Sequence, residues 1–435
     1  MFVTGRFVIL VAAGAIPIAL FGAAGVPPWI VFVVWLGLCL AVGAVDIARA
    51  ANLTQLRVSR RVPARARLGA LTETSVAVHN TGRRHLRGYL RDAWQPTAGA
   101  PPAPLRIDVP AGERRRTSFP LQPRRRGELR SDFVAVRSLG PLGIAGRQAQ
   151  HTIAGGIRVL PPFHARKHLP SRLARLRELD GNTSINVRGQ GTEFDSLREY
   201  VRGDDVRSID WRATARATTT MLRTWRPERD RHVVILIDTG RTAAARVGDG
   251  TRLDAAYEAA LLLAALASRA GDHVHLLLFD RAVRGRVTGI DGAGLLPAIS
   301  DAMAPVHANL IDTDWKAAFA ATRTLTTRPS LLVVLTAQDA PESARSFLGA
   351  FPQVNRSTTV LVGSVTDTEV NRLRTSIDSI DEIYLAAAAE KAVLDAEQVA
   401  DAVRRAGAEP LAADAELLPP RIADRYLALK AAGRL

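Results

Sequence analysis

Two long apolar stretches at the start of the chain constrain its fold most. Residues 5–25 carry one charged side chain, Arg6, and residues 28–47 carry one, Asp46. Each stretch is about 20 residues, which as a helix is about 30 Å and enough to cross the hydrocarbon core of a membrane. The Gly-Val-Pro-Pro sequence between them favours a turn, because proline lacks the amide hydrogen that a continuing helix needs. The sequence therefore predicts a transmembrane hairpin over residues 1–50.

The arginines around these stretches predict which way the hairpin faces. The turn between the stretches carries none, whereas Arg6 lies at one end and Arg49, Arg57, Arg60 and Arg61 follow the other. Positively charged flanks remain on the cytoplasmic side of a membrane. We therefore expect both ends of the hairpin, and the whole soluble body after it, to face the cytoplasm.

Other interpretations of these stretches remain open. The first is also compatible with a signal peptide cleaved near residues 21–25, in which case the second would still span the membrane. Cys39 as a lipidated residue is less favoured, because Leu38 precedes it where a small residue is required. Cys39 is the single cysteine of the 435 residues, which excludes an intramolecular disulfide framework and a cysteine-based zinc site.

The charge of the chain is unevenly distributed. Residues 1–230 carry 36 basic and 17 acidic side chains, whereas residues 231–435 carry 22 and 25. The basic excess is densest at residues 114–116 and 124–126, each a run of three arginines. Such a surface is either a solvated basic face or a binding surface for anionic lipid. Nucleic acid is not expected as a partner, because no aromatic platform is interleaved with the arginines.

Short alternating runs of apolar and polar residues characterise residues 51–165. Examples are Thr-Ser-Val-Ala-Val at 74–78, Leu-Arg-Ile-Asp-Val at 105–109 and Ile-Arg-Val-Leu at 157–160. Period-two alternation, punctuated by glycine, proline and asparagine, is typical of antiparallel strands. The pattern predicts an all-β, sandwich-like domain.

The periodicity changes from residue 231 onward. Residues 232–238 and 331–335 are nearly continuous apolar runs, the pattern of strands buried on both faces. Residues 253–270 form an Ala/Leu-rich helical stretch. Strands that alternate with helices of 10–15 residues indicate a doubly wound, mostly parallel sheet. Residues 231–435 are therefore predicted to be an α/β domain closed by a C-terminal helix.

A predicted connecting segment, residues 166–230, lies between the two parts. Its residues 189–216 contain six carboxylates and five arginines, interleaved rather than in blocks. This pattern favours a partly buried lattice of ion pairs and hydrogen bonds that holds an irregular segment. The same segment is also able to present a charged site.

The segment 189–216 closely resembles the signature of the bacterial domain-of-unknown-function 58 family. The pattern is Gly-x-Gly-Thr-Glu-Phe-Asp-x-Leu-Arg-Glu-Tyr, followed by Gly-Asp-Asp, Arg-x-Ile-Asp-Trp and Ala-Arg. The likeness covers nearly the whole chain. It extends to residues 138–143, 238–242, 252–254, 271–272, 279–280 and 423–430. The signature residues, which are also the candidate interaction residues, are Gly189, Gly191, Glu193, Phe194, Asp195, Arg198, Tyr200, Gly203, Asp204, Asp205, Arg207, Asp210, Trp211 and Arg216.

The resemblance implies a fold and partners. It implies a von Willebrand factor A-like α/β domain over residues 231–435 and a multi-pass protein of the bacterial inner membrane. Members are generally encoded beside MoxR-type AAA+ ATPases, and sometimes beside membrane transglutaminase-like proteins. No enzymatic activity is established for the family.

The resemblance also raises the question of a metal site at the carboxyl ends of the strands. The A-like motif is Asp-x-Ser-x-Ser on a first loop, a threonine on a second and an aspartate on a third, all oxygen ligands of the kind that Mg²⁺ requires. Asp238 and Thr242 match the ends of the first loop, but Gly240 replaces its middle serine.

The other two loops match the motif less well. Thr313 is the nearest candidate for the second loop, with Asp314 beside it. On the third loop Ala337 stands where the aspartate is expected, and Asp339 would substitute only if the loop reached back. Three alternatives follow. Asp238 caps its own turn and binds no ion, or Asp238 and Thr242 hold Mg²⁺ weakly in a degenerate site, or, least favoured, the metal site is intact.

The favoured hypothesis is a membrane-anchored, non-enzymatic interaction or scaffold protein without catalytic residues or a firmly bound cofactor. Its partners would be the lipid bilayer, a MoxR-type ATPase and, in some settings, a transglutaminase-like membrane protein. The rival hypothesis is a metal-dependent enzyme that uses the acidic residues Glu193, Asp195, Asp204, Asp205 and Asp238. No phosphate-binding loop, paired-histidine motif or nucleophile elbow points to another chemistry.

Overall fold

The computed structural model describes residues 1–186, 193–202, 205–226, 231–248, 250–354, 358–375 and 378–435. For residues 180–186, 193–196 and 224–226 it describes the backbone alone. The chain divides into two compact units, Met1–Leu160 and Pro161–Leu435. The first unit thus contains both the apolar N-terminal stretches and the strands that follow them.

Three helices form the apolar start of the first unit: α1 (Gly5–Ala12), α2 (Ala15–Ala23) and α3 (Pro28–Arg49). By length and composition, the stretches Gly5–Ala23 and Pro28–Gln55 are each able to cross a membrane. The first predicted span is interrupted between α1 and α2. A Cβ on Gly14 would lie 2.4 Å from Cδ1 of Trp35, whose indole N–H donates to the Leu10 carbonyl at 3.2 Å. The close approach of α3 therefore requires glycine at the interruption.

The rest of the first unit is built from two β-sheets. One sheet has the order β1–β9–β8–β5–β6, with β3 also pairing with β9, and the other has the order β2–β4–β7. Apart from the β3–β9 pair, all these pairings are antiparallel. The strands are β1 (Phe2–Val3), β2 (Leu56–Arg61), β3 (Arg65–Arg67), β4 (Thr72–Asn80), β5 (Leu86–Trp94), β6 (Leu105–Val109), β7 (Arg114–Leu121), β8 (Gly127–Leu139) and β9 (Ala145–Leu160).

A buried ion pair lies in the interior of this β-rich part. The Arg60 guanidinium is 2.6 Å from the Asp92 carboxylate, and neither side chain is more than 1% exposed. Trp94 donates its indole N–H to the same carboxylate at 2.8 Å, and Arg60 also donates to the carbonyls of Ser131 and Phe133. Removing one partner would leave an uncompensated charge in the core. Arg60 is therefore an internal residue, although the alternating, arginine-rich sequence of β2 predicts a basic surface.

Asp46 joins helix α3 to the β8–β9 turn. It is 1% exposed, and its carboxylate accepts the backbone N–H groups of Leu142, Ile144 and Ala145 at 2.8, 3.0 and 3.0 Å. The N-terminus reaches the same turn, because Thr4 donates its N–H to the Ile144 carbonyl. Both ends of the apolar helices thus meet the same end of the β-sheets, as a hairpin requires.

A six-stranded sheet with the order β16–β15–β12–β17–β18–β19 forms the centre of the second unit. All of its pairings are parallel except β15–β16. The strands of this unit are β10 (Glu193–Glu199), β11 (Met221–Arg226), β12 (His232–Asp238), β13 (Arg246–Val247), β14 (Gly250–Thr251), β15 (His273–Phe279), β16 (Val283–Val287), β17 (Leu331–Leu335), β18 (Thr359–Thr366) and β19 (Glu409–Asp414).

Helices cover both faces of this sheet. Val233, Ile235 and Ile237 of β12 pack in one core with residues of α6, α7 and α12, whereas Val234 and Leu236 pack in another with residues of α8, α9 and α11. The alternation of one strand between two cores explains its continuous apolar sequence. The helices are α4 (Leu169–Asn186), α5 (Trp211–Thr214), α6 (Arg252–Arg269), α7 (Leu295–Met303), α8 (Trp315–Thr322), α9 (Pro341–Ala350), α10 (Thr368–Leu373), α11 (Ile380–Arg405) and α12 (Leu418–Ala431).

The described strands of the whole chain are mostly antiparallel, and the parallel pairings are concentrated in this one sheet. The two-stranded ribbon β10–β11 is also antiparallel, and its strand β10 contains residues 193–199 of the signature segment. This part of the segment is therefore a strand of a hairpin rather than the irregular connection expected from its sequence.

The Asp46 junction predicts the effect of one substitution. Asp46→Ala leaves three N–H groups of the 142–145 turn without their charged acceptor, and we expect a loss of about 3 kcal/mol in the free energy of unfolding. Urea unfolding of the full chain in detergent micelles measures this loss, and hydrogen exchange should accelerate at residues 142–145. Asp132→Ala, on an exposed position of β8, is the matched control. Unchanged exchange in the 142–145 turn would contradict the assignment.

Candidate functional site

Asp238 occupies the crevice where a doubly wound sheet binds its ligands. It ends β12, the strand that lies between β15 and β17, and it is 2% exposed. The chain leaves β12 towards α6 on one face of the sheet and leaves β17 towards α9 on the other. Such a divergence at the carboxyl ends of neighbouring strands opens a crevice.

Four hydrogen-bond donors converge on the Asp238 carboxylate. The hydroxyls of Thr242 and Thr336 donate to Oδ2 at 3.0 and 2.7 Å. The Thr313 hydroxyl donates to Oδ1 at 2.5 Å, and so does the Gly240 N–H at 2.8 Å. Both oxygens are therefore occupied, and one of these contacts is the turn cap that the sequence offered as an alternative to metal binding.

The residues around Asp238 do not fit a tightly held Mg²⁺ ion. Mg²⁺ takes an octahedral set of oxygens and is usually bound through one or two carboxylates. Ala337, buried at the expected third-loop position, supplies no oxygen from its side chain. Asp339 forms an ion pair with Arg252, and Asp314 accepts the Ala317 N–H at the start of α8. Among the residues that the structure describes, no group of three or more acidic, histidine or cysteine side chains could hold a metal ion.

Sequence reasoning identified part of this arrangement. Thr242 and Thr313 contact Asp238 as the loop assignment predicts, whereas Asp339 does not reach back to it. The contact between Thr336 and Asp238 was not predicted. The signal that could have indicated it is position: Thr336 directly follows a predicted buried strand, so its hydroxyl lies at the edge of the sheet where such strands end. Arg252 lies in one of the segments that carry the family resemblance but was not predicted as a site residue. It lines the crevice, which has room for about one water molecule (about 10 Å³).

A second buried carboxylate, Asp280, lies directly after β15, the neighbour of β12. It accepts hydrogen bonds at 2.7 Å from both Arg284 and Asn309, and others from the backbone N–H groups of residues 281 and 282. Burial opposes the charged form, but these hydrogen bonds outweigh it and lower the pKa of Asp280 to about 2. Asp280 is therefore a fully ionised structural anchor for the loop beside the crevice.

The signature residues are distributed over the β10–β11 hairpin. Gly189, Gly191, Gly203 and Asp204 lie outside the described residues. The backbone of residues 193–195, which includes Glu193, Phe194 and Asp195, lies in β10, but their side chains are not described. Side-chain contacts are therefore described only for the later signature residues, from Arg198 onward, with the exception of Gly203 and Asp204.

Two signature carboxylates cap short helical turns. Asp205 accepts the Arg207 N–H at 3.0 Å. Asp210 accepts the N–H groups of Arg212 and Ala213 at 2.9 and 3.0 Å and pairs with Arg223 at 2.8 Å. The Ala213 N–H and the Arg223 guanidinium hold the pKa of Asp210 below its ordinary value.

These contacts differ from the partly buried lattice that the sequence favoured. Arg223 is 45% exposed, so its pair with Asp210 is a surface pair. We expect the loss of Asp210 to remove a helix cap, which costs less stability than breaking a buried ion pair. The remaining signature residues make backbone contacts: Arg198 donates to the Glu199 carbonyl, and the N–H groups of Tyr200 and Arg216 donate to carbonyls of Thr220 and Ala213.

Apolar side chains of the same hairpin are exposed. Trp211 is 70% exposed, Val206 60%, Val201 58% and Leu197 40%. A tryptophan with this exposure is uncommon on a folded surface unless it contacts a partner. The hairpin therefore exposes several apolar side chains, and Arg202, Arg207 and Arg212 are their neighbours in sequence.

Residues 196–407, roughly half of the chain, match the sequence model of the family described as protein of unknown function DUF58. The chain belongs to the DUF58 family. The match includes the part of the signature from Ser196 onward, the Asp238 crevice and most of the parallel sheet of the DUF58 chain. No curated protein matches it.

Several solved structures resemble about a quarter of this DUF58 protein. A PapD-like domain of human CEP192 is 14% identical over 24% of this chain and 84% of its own, with a TM-score of 0.18. The CARDB domain of the PF1109 protein from Pyrococcus furiosus is 15% identical over 26% and 92%, with a TM-score of 0.18. A Salmonella alpha-2-macroglobulin mutant is 15% identical over 25% and 7%, with a TM-score of 0.21. Scores of this size carry no argument about function.

Gly240 provides a test of the crevice. A Cβ at this position would lie 2.4 Å from Oγ1 of Thr313 and 2.8 Å from the Ile311 carbonyl. Gly240→Ser, which would restore the serine of the A-like motif, should therefore lower the free energy of unfolding by about 1–3 kcal/mol instead of creating a site. Urea unfolding and calorimetric titration with MgCl₂ measure the two effects.

The control for Gly240→Ser is the same substitution in a Thr313→Ala background. Thr313→Ala by itself removes a hydrogen bond to Asp238, but because the obstructing hydroxyl is gone, the additional loss caused by Gly240→Ser should be smaller there than in the wild type. Submillimolar Mg²⁺ binding by Gly240→Ser alone, with stability unchanged, would contradict this description of the crevice.

Asp280 predicts a pH dependence of stability. Because its pKa in the folded chain is about 2, below the ordinary value of 3.8, the stabilisation by its carboxylate is present above about pH 4 and is lost as the pH falls towards 2. Asp280→Asn should therefore flatten this part of the dependence of unfolding free energy on pH. Denaturant unfolding between pH 2 and 6 measures it, with the exposed Asp312→Asn as the control. Parallel pH profiles for the wild type and Asp280→Asn would refute the assignment.

Proposed function

We propose that this DUF58 protein is a non-enzymatic interaction or scaffold protein, anchored in the bacterial inner membrane and working with a MoxR-type AAA+ ATPase. The anchor is the pair of apolar stretches, and the soluble body faces the cytoplasm. The ATPase partner is implied by the resemblance to the family, whose members are sometimes also encoded beside a transglutaminase-like membrane protein. The proposal takes the second unit as a von Willebrand factor A-like domain.

The observation that carries the proposal is the exposed surface of the β10–β11 hairpin. Trp211 and Val206 are each at least 60% exposed and lie on a short segment held by the Asp205 and Asp210 caps. Caps hold the backbone without covering the side chains, so Trp211 is presented on an ordered support. Aromatic side chains with arginine neighbours are the residues that dominate the energy of protein–protein contacts.

The saturation of Asp238 supports a non-enzymatic role. A general base needs a free lone pair directed at its substrate, and an inner-sphere metal ligand needs one directed at the ion. Both oxygens of Asp238 already accept hydrogen bonds. The alternative of a metal-dependent enzyme would use Glu193, Asp195, Asp204 and Asp205 as well, and no contact of the described residues favours it.

The sheet topology supports an A-like domain. The order of the strands, with β12 flanked by β15 and β17 and one antiparallel edge strand, β16, places Asp238, Thr313 and Thr336 at one edge of the sheet. These are the three loops on which the A-like motif distributes its oxygen ligands. In this proposal the crevice serves as a rigid structural centre, and partners bind at the surface.

The proposal predicts that Trp211 is needed for binding but not for folding. Trp211→Ser should reduce capture of the MoxR-type ATPase by the full chain in detergent by about tenfold or more, as expected for a central aromatic contact. It should leave the unfolding midpoint unchanged, because the side chain is exposed. Pull-downs with and without ATP, together with urea unfolding, measure both effects.

Ile380→Ala, which truncates another exposed apolar residue outside the hairpin, is the matched control. Equal capture of the ATPase by wild type and Trp211→Ser would remove the hairpin from the interface. Equal loss with Ile380→Ala would indicate nonspecific hydrophobic association.

A further inference from the structure

Five arginines surround the end of α3 where the chain leaves its apolar helices. We call them the arginine collar: Arg6, Arg49, Arg84, Arg137 and Arg147. Each is placed there by a contact in the first unit or by its position in a helix. The collar therefore concentrates positive charge at the level where a membrane-spanning helix would meet the lipid headgroups.

Two members of the collar bind the helix end directly. Arg84 donates to the carbonyls of Ala48 and Ala50, and Nε of Arg147 donates to the Ile47 carbonyl at 3.1 Å. The last carbonyls of a helix have no partner within the helix and carry the negative end of its dipole, so they attract arginine donors. A guanidinium has five N–H groups, and these bonds leave several of them available.

The other three members extend the same surface. Arg137 lies over the ring of Phe2, 5.2 Å from its centre, on the strand segment whose Ser138 accepts the Ala51 N–H. A guanidinium nitrogen of Arg6 lies beside Gly143, 3.1 Å from where a Cβ would be. Arg49 is in the last turn of α3. Arg6, Arg49, Arg84 and Arg137 are exposed.

The collar has no acidic partner. All of residues 1–160 are described, and none of the five arginines forms an ion pair there. Asp46, the carboxylate nearest in sequence to this helix end, is occupied by three backbone N–H groups. The positive charge of the collar is therefore not neutralised within the first unit.

We propose that the arginine collar binds the phosphate groups of anionic phospholipids in the bilayer that the apolar helices span. The planar guanidinium pairs with phosphate through two parallel hydrogen bonds, and charge complementarity selects anionic over zwitterionic headgroups. This inference depends on the membrane anchor of the proposed function. It adds the class of lipid and the residues that recognise it.

The collar is distinct from other exposed arginines in the basic residues 1–230. Arg124 and Arg125 lie in the turn that precedes β8, whereas the collar and the Asp46 junction lie at the other end of β8. That strand has 13 residues, which corresponds to about 40 Å. Interactions between exposed charges are screened over about 8 Å at physiological salt. Arg124 and Arg125 are therefore expected to contribute little to lipid binding, although they belong to one of the densest arginine runs.

Lipid selectivity of the reconstituted full chain tests the inference. The measured quantity is the association of spin-labelled phosphatidylglycerol relative to spin-labelled phosphatidylcholine in phosphatidylcholine vesicles. The combined variant Arg6→Gln and Arg49→Gln, which breaks no hydrogen bond of the helix end, should reduce the preference for phosphatidylglycerol by about tenfold. The matched control, Arg124→Gln with Arg125→Gln, removes the same charge and should retain the preference. Added NaCl should weaken the preference of the wild type.

The outcomes distinguish the collar from the anchor. Release of the wild-type chain from vesicles by an alkaline wash would contradict the anchor and overturn both proposals. Retention in the bilayer without a preference for phosphatidylglycerol would overturn the collar alone, as would an equal loss of preference in the control variant. Retention with loss confined to Arg6→Gln and Arg49→Gln supports the collar.

Discussion

Buried carboxylates determine where separate segments of this protein meet, because each must be surrounded by hydrogen-bond donors. Asp46 holds a strand turn against the end of an apolar helix, and Asp92 pairs with an internal arginine between the sheets. Asp238 gathers hydroxyls from three loops, and Asp280 orders the loop next to it. A buried charge without partners costs several kcal/mol, so the surrounding loops cannot move independently of these residues.

The hydrogen bonds that occupy these carboxylates also affect which residues of this DUF58 protein are able to bind a ligand or partner. A carboxylate whose oxygens all accept hydrogen bonds has to break some of them before it can bind an ion or take a proton. The crevice around Asp238 is also narrow, with space for about one water molecule. Exposed features are better placed for recognition. Examples are the exposed apolar side chains near Trp211 and the arginines at the end of α3, which form no ion pair within the fully described residues 1–160.

Several features of the fold could be predicted because they depend on neighbouring residues alone. The apolar stretches predict long N-terminal helices, and the continuous apolar run at 232–238 predicts a strand buried on both faces, as observed. The features that the local pattern did not predict involve residues distant in sequence. Trp35 approaches Gly14, between α1 and α2, too closely for a side chain there, and the charged pattern at 189–216 did not reveal that Arg223, outside it, would pair with Asp210 at a half-exposed position.

The sequence by itself determined the secondary structure of most of the chain and its resemblance to the family. The tertiary structure decided which side chains meet. Thr313 and Thr336 are 75 and 98 residues from Asp238 in sequence, yet both donate to its carboxylate. Likewise, only the fold separates Arg60 in the core, the arginine collar and the distant Arg124 from one another. Local periodicity reflects interactions within a few residues, whereas these contacts depend on the order of strands in a sheet, which brings distant loops to one edge.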